Sequence, residues 1–176
     1  MTNSRRKQID LLADTVRKAC GLEVPVDVEE AVNRLDGVLK IEFTDEYEAK
    51  IERTAKGFAI SLAHKYSGPR RRFSVAHELG HLFLHMGYLV DEEKWSSVSD
   101  YTDSVYYRFG HTTEEYEAHE FAAAFLMPAE VFRHVARAHK MNAKYNVAPI
   151  AKHFEVSEEA AINRGRWLGI FAWDIG

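Results

Sequence analysis

The densest chemistry in the chain lies in residues 72–85, Arg72-Phe73-Ser74-Val75-Ala76-His77-Glu78-Leu79-Gly80-His81-Leu82-Phe83-Leu84-His85. On a helix advancing about 100° per residue, His77 and His81 are roughly 40° apart and one turn apart in height. Both imidazoles can therefore reach one metal ion. Glu78 falls about 100° from His77 and about 60° from His81. There its carboxylate flanks the metal face without being a ligand, as a general base for a metal-activated water requires.

With nine histidines and eighteen glutamates in 176 residues, a His-Glu-x-x-His spacing arises by accident in roughly one such chain in twenty. The flanking residues decide the matter. Val75, Leu79, Leu82 and Phe83 form an apolar stripe that would bury one side of the helix, and Ser74 is placed to cap its N-terminus. Burying three ionisable groups within five residues is costly unless a metal or a charge partner compensates. A metal site is therefore expected in preference to a structural histidine cluster.

A catalytic zinc needs a third protein ligand and an open position for water. The next helical stretch, 113–127, can supply the ligand. Taking Glu117 as reference, Phe121, Ala124 and Pro128 lie within about 40° of it, so Glu117 is expected to project from the apolar face. Glu114 and Glu120 each sit about 60° to one side, and His119 lies about 200° away, on the opposite side. Glu117 is the expected third ligand; the competing explanation is a salt bridge to an arginine such as Arg72. His85 continues the His77 and His81 face, but three histidines on successive turns span about 12 Å. That is too far for one ion, which leaves His85 as a helix-end residue near the site.

The elements that must hold these residues can be read from periodicity and punctuation. Ile9, Leu12, Val16 and Ala19 mark an amphipathic helix over about 4–20, closed by Gly21. Asp27 caps a short second helix that stops before Gly37. Strands are expected over 38–43, 47–53 and 58–64, the last two joined by a turn at 54–57, giving a small, mostly antiparallel sheet. The third strand either is an edge that could hold an extended peptide beside the metal or is an ordinary strand. Gly68-Pro69 breaks the chain, and Arg70-Arg71-Arg72, opposing the helix dipole, should turn toward carboxylates or solvent.

Residues 88–113 read as a long polar and aromatic connection, of a length that is usually functional or mobile. It is the natural source of a group to stabilise an anionic tetrahedral intermediate, with Tyr106, Tyr107 and His111 as the possibilities. Beyond residue 130 a short helix opens at Pro149, and Ser157 caps another that carries Glu158 and Glu159 in its first turn. The pair has weak helix-turn-helix character, but those two glutamates stand where phosphates and base edges would be met, so direct nucleic-acid binding is not expected. Should DNA be bound, Arg164 and Arg166 would be the residues to carry it.

Composition sets outer limits. Hydrophobic residues make up 46% and charged residues 28%, as in soluble globular domains, and the net charge of −4 gives no global attraction to nucleic acid or anionic membrane. No apolar run is long enough to span a membrane, and no signal-peptide pattern develops at the N-terminus. The single cysteine, Cys20, excludes an intrachain disulfide and agrees with a reducing cytoplasm.

Two segments together, the one around His77 and Glu117-Ala118-His119-Glu120-Phe121-Ala122-Ala123-Ala124-Phe125-Leu126-Met127-Pro128, resemble the ImmA/IrrE-type metallopeptidases. Weaker matches are Pro25-Val26-Asp27-Val28 and Phe154-Glu155-Val156-Ser157. The resemblance implies an α+β minimal zincin core over 1–130, followed by a C-terminal helical segment over 131–176. It implies Zn2+ held by His77, His81 and Glu117, with Glu78 as the base. It also implies a cytoplasmic endopeptidase whose protein substrate is a helix-turn-helix, DNA-binding repressor. The departure from the family pattern is His119, where Asn or Asp is usual. A different kind of function, a non-catalytic regulator or antitoxin-like binding module built on the metal domain, remains the alternative.

Overall fold

The computed structural model describes residues 1–98, 100–101, 112–142 and 144–172. It is an α+β domain. Helix α1 (Asn3–Ala19) is followed by α2 (Val28–Arg34), which starts where Asp27 accepts from the backbone N–H groups of Glu29 and Glu30. Three strands follow, β1 (Gly37–Glu42), β2 (Ala49–Thr54) and β3 (Gly57–Ala63), and then the long helix α3 (Gly68–Leu84). The stretch read as a loop contains a short helix α4 (Glu92–Ser97) and a two-residue strand β4 (Asp100–Tyr101). Helix α5 (Thr113–Leu126) precedes α6 (Ala129–Ala138), the hairpin β5 (Lys140–Met141) and β6 (Lys144–Tyr145), α7 (Val147–Phe154) and α8 (Glu158–Trp167).

The sheet has the order β1-β3-β2-β4, with β1 parallel to β3 and the other two pairings antiparallel. β3 is thus interior, which overturns the reading of that strand as an edge. Phe58, Ala59, Ile60, Ser61, Leu62 and Ala63 are all buried. An unbroken buried run of this kind belongs to a strand covered on both faces and paired on both sides. β1 lies at one edge, with Val38 and Ile41 exposed and Leu39 packed against the core.

Helix α3 begins earlier than Ser74 suggests. Ser67 occupies the N-cap position and Pro69 stands in the first turn, where its missing N–H is no loss. Ser74 is inside the helix, and its hydroxyl donates to Glu48 on the approach to β2. The three arginines of the opening turn do face carboxylates: Arg70 pairs with Glu48, Arg71 with Glu29 and Arg72 with Glu155.

α3 and α5 form the closest helix pair, and Gly80 makes it possible. A Cβ on Gly80 would sit 2.9 Å from the Ala118 Cα, 3.0 Å from its carbonyl oxygen and 3.2 Å from the Phe121 Cβ. Two of those are backbone atoms, which cannot turn aside. α1 lies on α5 through two ion pairs, Arg5 to Glu117 and Arg6 to Glu120. Arg164 of α8, 2% exposed, donates to the Met127 carbonyl at 3.0 Å and to Asp10 at 2.5 Å. It ties α8 to both α1 and the end of α5 and is not available to DNA. Among the described residues no helix is long and apolar enough to cross a membrane.

The Gly80→Ala substitution should therefore destabilise the fold by about 1–3 kcal/mol, the usual cost of overpacking. Alanine's better helix propensity, worth about 1 kcal/mol, offsets only part of it. Urea unfolding of the two proteins measures the difference.

Candidate metal centre

Helix α3 turns His77 and His81 toward α5, and their Nε2 atoms are 3.0 Å apart. The carboxylate that meets them is Glu115. Its Oε2 is 3.2 Å from the His77 Nε2 and its Oε1 is 3.3 Å from the His81 Nε2. His77, His81 and Glu115 are 3%, 0% and 5% exposed, so three donors converge in a site shielded from water. Among the described residues they make up the one group of three or more able to hold a metal ion.

The spacing fits an ion. Zinc bonded at about 2.0 Å to nitrogen and oxygen in a tetrahedron separates its ligand atoms by about 3.3 Å. The separations here, 3.0 Å between the imidazole nitrogens and 3.2 and 3.3 Å from each to its nearer Glu115 oxygen, lie at or just below that. Two imidazole nitrogens and one carboxylate oxygen also form the donor set of open catalytic zinc sites. Glu78, on α3 directly after His77, is fully buried at 0% exposure.

Glu117, expected as the third ligand, is engaged elsewhere. Arg5 Nε donates to its Oε1 at 2.7 Å and Arg5 Nη2 to its Oε2 at 2.6 Å. A salt bridge to an arginine is thus what the structure gives Glu117, with Arg5 rather than Arg72 as the partner. The hydrogen bonds from Arg5 hold the Glu117 carboxyl below its usual pKa. The physical reason for the difference is the phase of α5. Taking Glu115 as reference, Ala122, Leu126 and His119 lie within about 40° of it. That face is as apolar as the one through Glu117, because α5 is buried nearly all round, from Glu115 to Leu126. Periodicity cannot choose between two buried faces.

The side of α5 opposite Glu117 is therefore the side that meets the histidines, and His119 is on it. Its ring lies 4.5 Å from that of His77 and 5.6 Å from that of Phe73. Its Nδ1 is 2.9 Å from the Glu115 carbonyl oxygen, which makes Nδ1 the protonated nitrogen. Beside this contact a small recess is lined by Glu48, Ala49, Arg70, Phe73, Ser74, His77 and His119. His85, the C-cap of α3, lies at the other end of the cluster, its Nδ1 2.9 Å from that of His81. Tyr106, Tyr107 and His111, the residues expected to stabilise an oxyanion, lie outside the described residues.

Burial pushes the His81 pKa down to about 3. Burial, reinforced by His77, takes His119 down to about 4. Both rings are thus neutral at pH 7, the state a metal ligand requires. The unfolded chain takes up these protons near pH 6.5. Between about pH 6.5 and 4 it binds more protons than the folded chain, so stability falls as the pH falls through that window. In metal-free protein, imidazole NMR signals of His81 and His119 should stay in their neutral positions down to about pH 5, His119 titrating first below that, with the unfolding free energy declining as the pH falls from about 6.5.

Comparison with known proteins places the fold and the family. Among curated proteins no sequence matches. A solved structure described as a Mycobacterium tuberculosis transcriptional regulator superposes with a TM-score of 0.58 at 17% identity. The match covers 89% of this chain but 46% of that one, so the chain spans about half the length of the protein it resembles. At that identity the likeness concerns the fold alone. The sequence model of the peptidase M78 family, described as an IrrE N-terminal-like domain, matches residues 38–165. That span takes in nearly all of the sheet, α3, α5 and most of α8, and with them His77, His81 and Glu115: the chain belongs to the peptidase M78 (ImmA/IrrE) family.

Proposed function

We propose that this chain is a zinc-dependent metalloendopeptidase whose ligands are His77, His81 and Glu115. The observation that carries the reading is the convergence of two imidazole nitrogens, 3.0 Å apart, on one buried carboxylate whose Oε2 lies 3.2 Å from His77 and whose Oε1 lies 3.3 Å from His81. A bound zinc would supply Lewis acidity, polarising a peptide carbonyl and acidifying a water. Glu78 is the group that moves the proton. Its carboxylate takes the proton of the attacking water and delivers it to the nitrogen of the departing amine. The burial of Glu78 excludes bulk water, so the proton is handed on within the site.

His119 and Phe73 form one wall of the recess beside His77, and Glu48 lies in the same recess, held by Arg70 and Ser74. With its carboxylate already satisfied, Glu48 adds little net charge there, so the recess suits a small, uncharged side chain of the substrate. The proposed substrate is a DNA-binding repressor protein. The similarity in fold to a transcriptional regulator supports such a regulatory setting.

Two substitutions separate binding from chemistry. Glu115→Ala removes a ligand and should abolish near-stoichiometric zinc in elemental analysis of the purified protein. Glu78→Gln should retain zinc yet lose cleavage of a cognate repressor by at least about 100-fold, the scale of a lost general base. Undiminished proteolysis by Glu78→Gln would sink the mechanism. Tight repressor binding without cleavage by the wild-type protein would point to a binding module instead.

A further inference from the structure

The contacts of Glu117 continue inward. Arg5, with 40% of its side chain exposed, holds the Glu117 carboxylate through two N–H groups. Glu117 Oε2 lies 3.5 Å from the Nε2 of buried His85, and the His85 Nδ1 lies 2.9 Å from the His81 Nδ1. A chain of polar contacts thus runs from solvent to a metal-ligating imidazole across α1, α5 and α3.

The donor and acceptor inventory gives this chain one direction. A neutral His81 that offers its Nε2 lone pair to a metal carries its proton on Nδ1. That N–H must find an acceptor, and the atom facing it is the His85 Nδ1. His85 then accepts at Nδ1 and carries its own proton on Nε2, the nitrogen that faces Glu117. Glu117, held ionised by Arg5, is an acceptor only. Each contact therefore has one donor and one acceptor in a single assignment of tautomers. The His85 to Glu117 step, at the far limit of hydrogen-bond length, is its weakest joint.

We propose that His85, Glu117 and Arg5 are positioning residues that fix the tautomer and ring orientation of His81 for the metal. The proposal rests on the reading of His77, His81 and Glu115 as the metal ligands. Ligating histidines usually give their second N–H directly to a carboxylate or a carbonyl. In this chain the carboxylate is reached through a second imidazole, and its arginine sits on the first turn and a half of α1. The N-terminal helix thereby becomes part of the metal site, although it contributes no ligand.

A second ion pair between the same two helices provides the comparison. Arg6 and Glu120 join α1 to α5 at 3.1 Å but do not touch His85 or His81. Zinc affinity is measured by competition with a chromophoric chelator in wild type, Glu117→Gln, His85→Gln, Arg5→Gln and Arg6→Gln, with the Co2+ ligand-field spectrum and Tm of each. Glu117→Gln and His85→Gln should lose about 10- to 100-fold in affinity, the range for partners of ligating residues, and should shift the Co2+ bands. Arg5→Gln, at an exposed position, should shift both in the same direction by less. Arg6→Gln should lower Tm without changing affinity or spectrum.

Unchanged affinity and spectrum in Glu117→Gln, His85→Gln and Arg5→Gln, with metal binding still dependent on Glu115, overturns the relay alone. An equal loss in Arg6→Gln overturns it too, by showing that only general stability was changed. Wild-type protein that takes up no zinc or cobalt overturns the relay together with the proposed function.

Discussion

A carboxylate and two imidazoles buried side by side set the terms for the rest of this structure. Left without compensation, a buried ionised group is among the most expensive features a fold can carry. Here Glu115 meets His77 and His81 within hydrogen-bonding distance, an arrangement that holds only while α3 and α5 stay at fixed separation and phase. Gly80 against Ala118 sets the separation. The phase of α5 is set by its other sides, where Glu117 and Glu120 are drawn to Arg5 and Arg6 of α1 and Arg164 approaches Glu120.

The same logic accounts for the number of acidic residues on so buried a helix. Glu115, Glu117 and Glu120 are 5%, 8% and 7% exposed, and each answers to a different neighbour. Glu115 faces the histidines of α3, Glu117 faces Arg5 and His85, and Glu120 faces Arg6 and Arg164. α5 is in this sense a hub with three polar spokes, and rotating it would break all three at once. Removing one partner of a fully buried pair typically costs about 3–5 kcal/mol, and less at the Arg5 spoke, where the arginine side chain is 40% exposed, so the arrangement is discriminating as well as stable. The sheet contributes from below, through the buried run of β3 and the hydroxyl of Ser74 bonded to Glu48 beside β2.

Legibility in the sequence followed the range of the interaction concerned. The convergence of His77 and His81 depends on a spacing of four along one helix, and the structure has their Nε2 atoms 3.0 Å apart. The opening arginines of α3 were expected to turn toward carboxylates or solvent because the dipole disfavours them there, and each pairs with a carboxylate. The start of α3 was harder to place: Pro69 ends helices when it follows them and begins them when it sits in the first turn. β3 was equally ambiguous, since a strand's place in a sheet depends on residues far away in sequence.

The sequence by itself determined the local pattern: a helix carrying two imidazoles and a carboxylate at His-Glu-x-x-His spacing, and a second helix rich in glutamates. Those features are local, fixed by the 3.6-residue period and the side chains within one turn. Only the tertiary structure decided which glutamate meets the histidines. Glu115 and Glu117 are about 160° apart on a helix buried on nearly every side, and its amphipathic pattern leaves the choice open. What separates them is which neighbour each face meets, α3 with its histidines or α1 with Arg5. That depends on contacts more than a hundred residues apart in the chain, which no local period records.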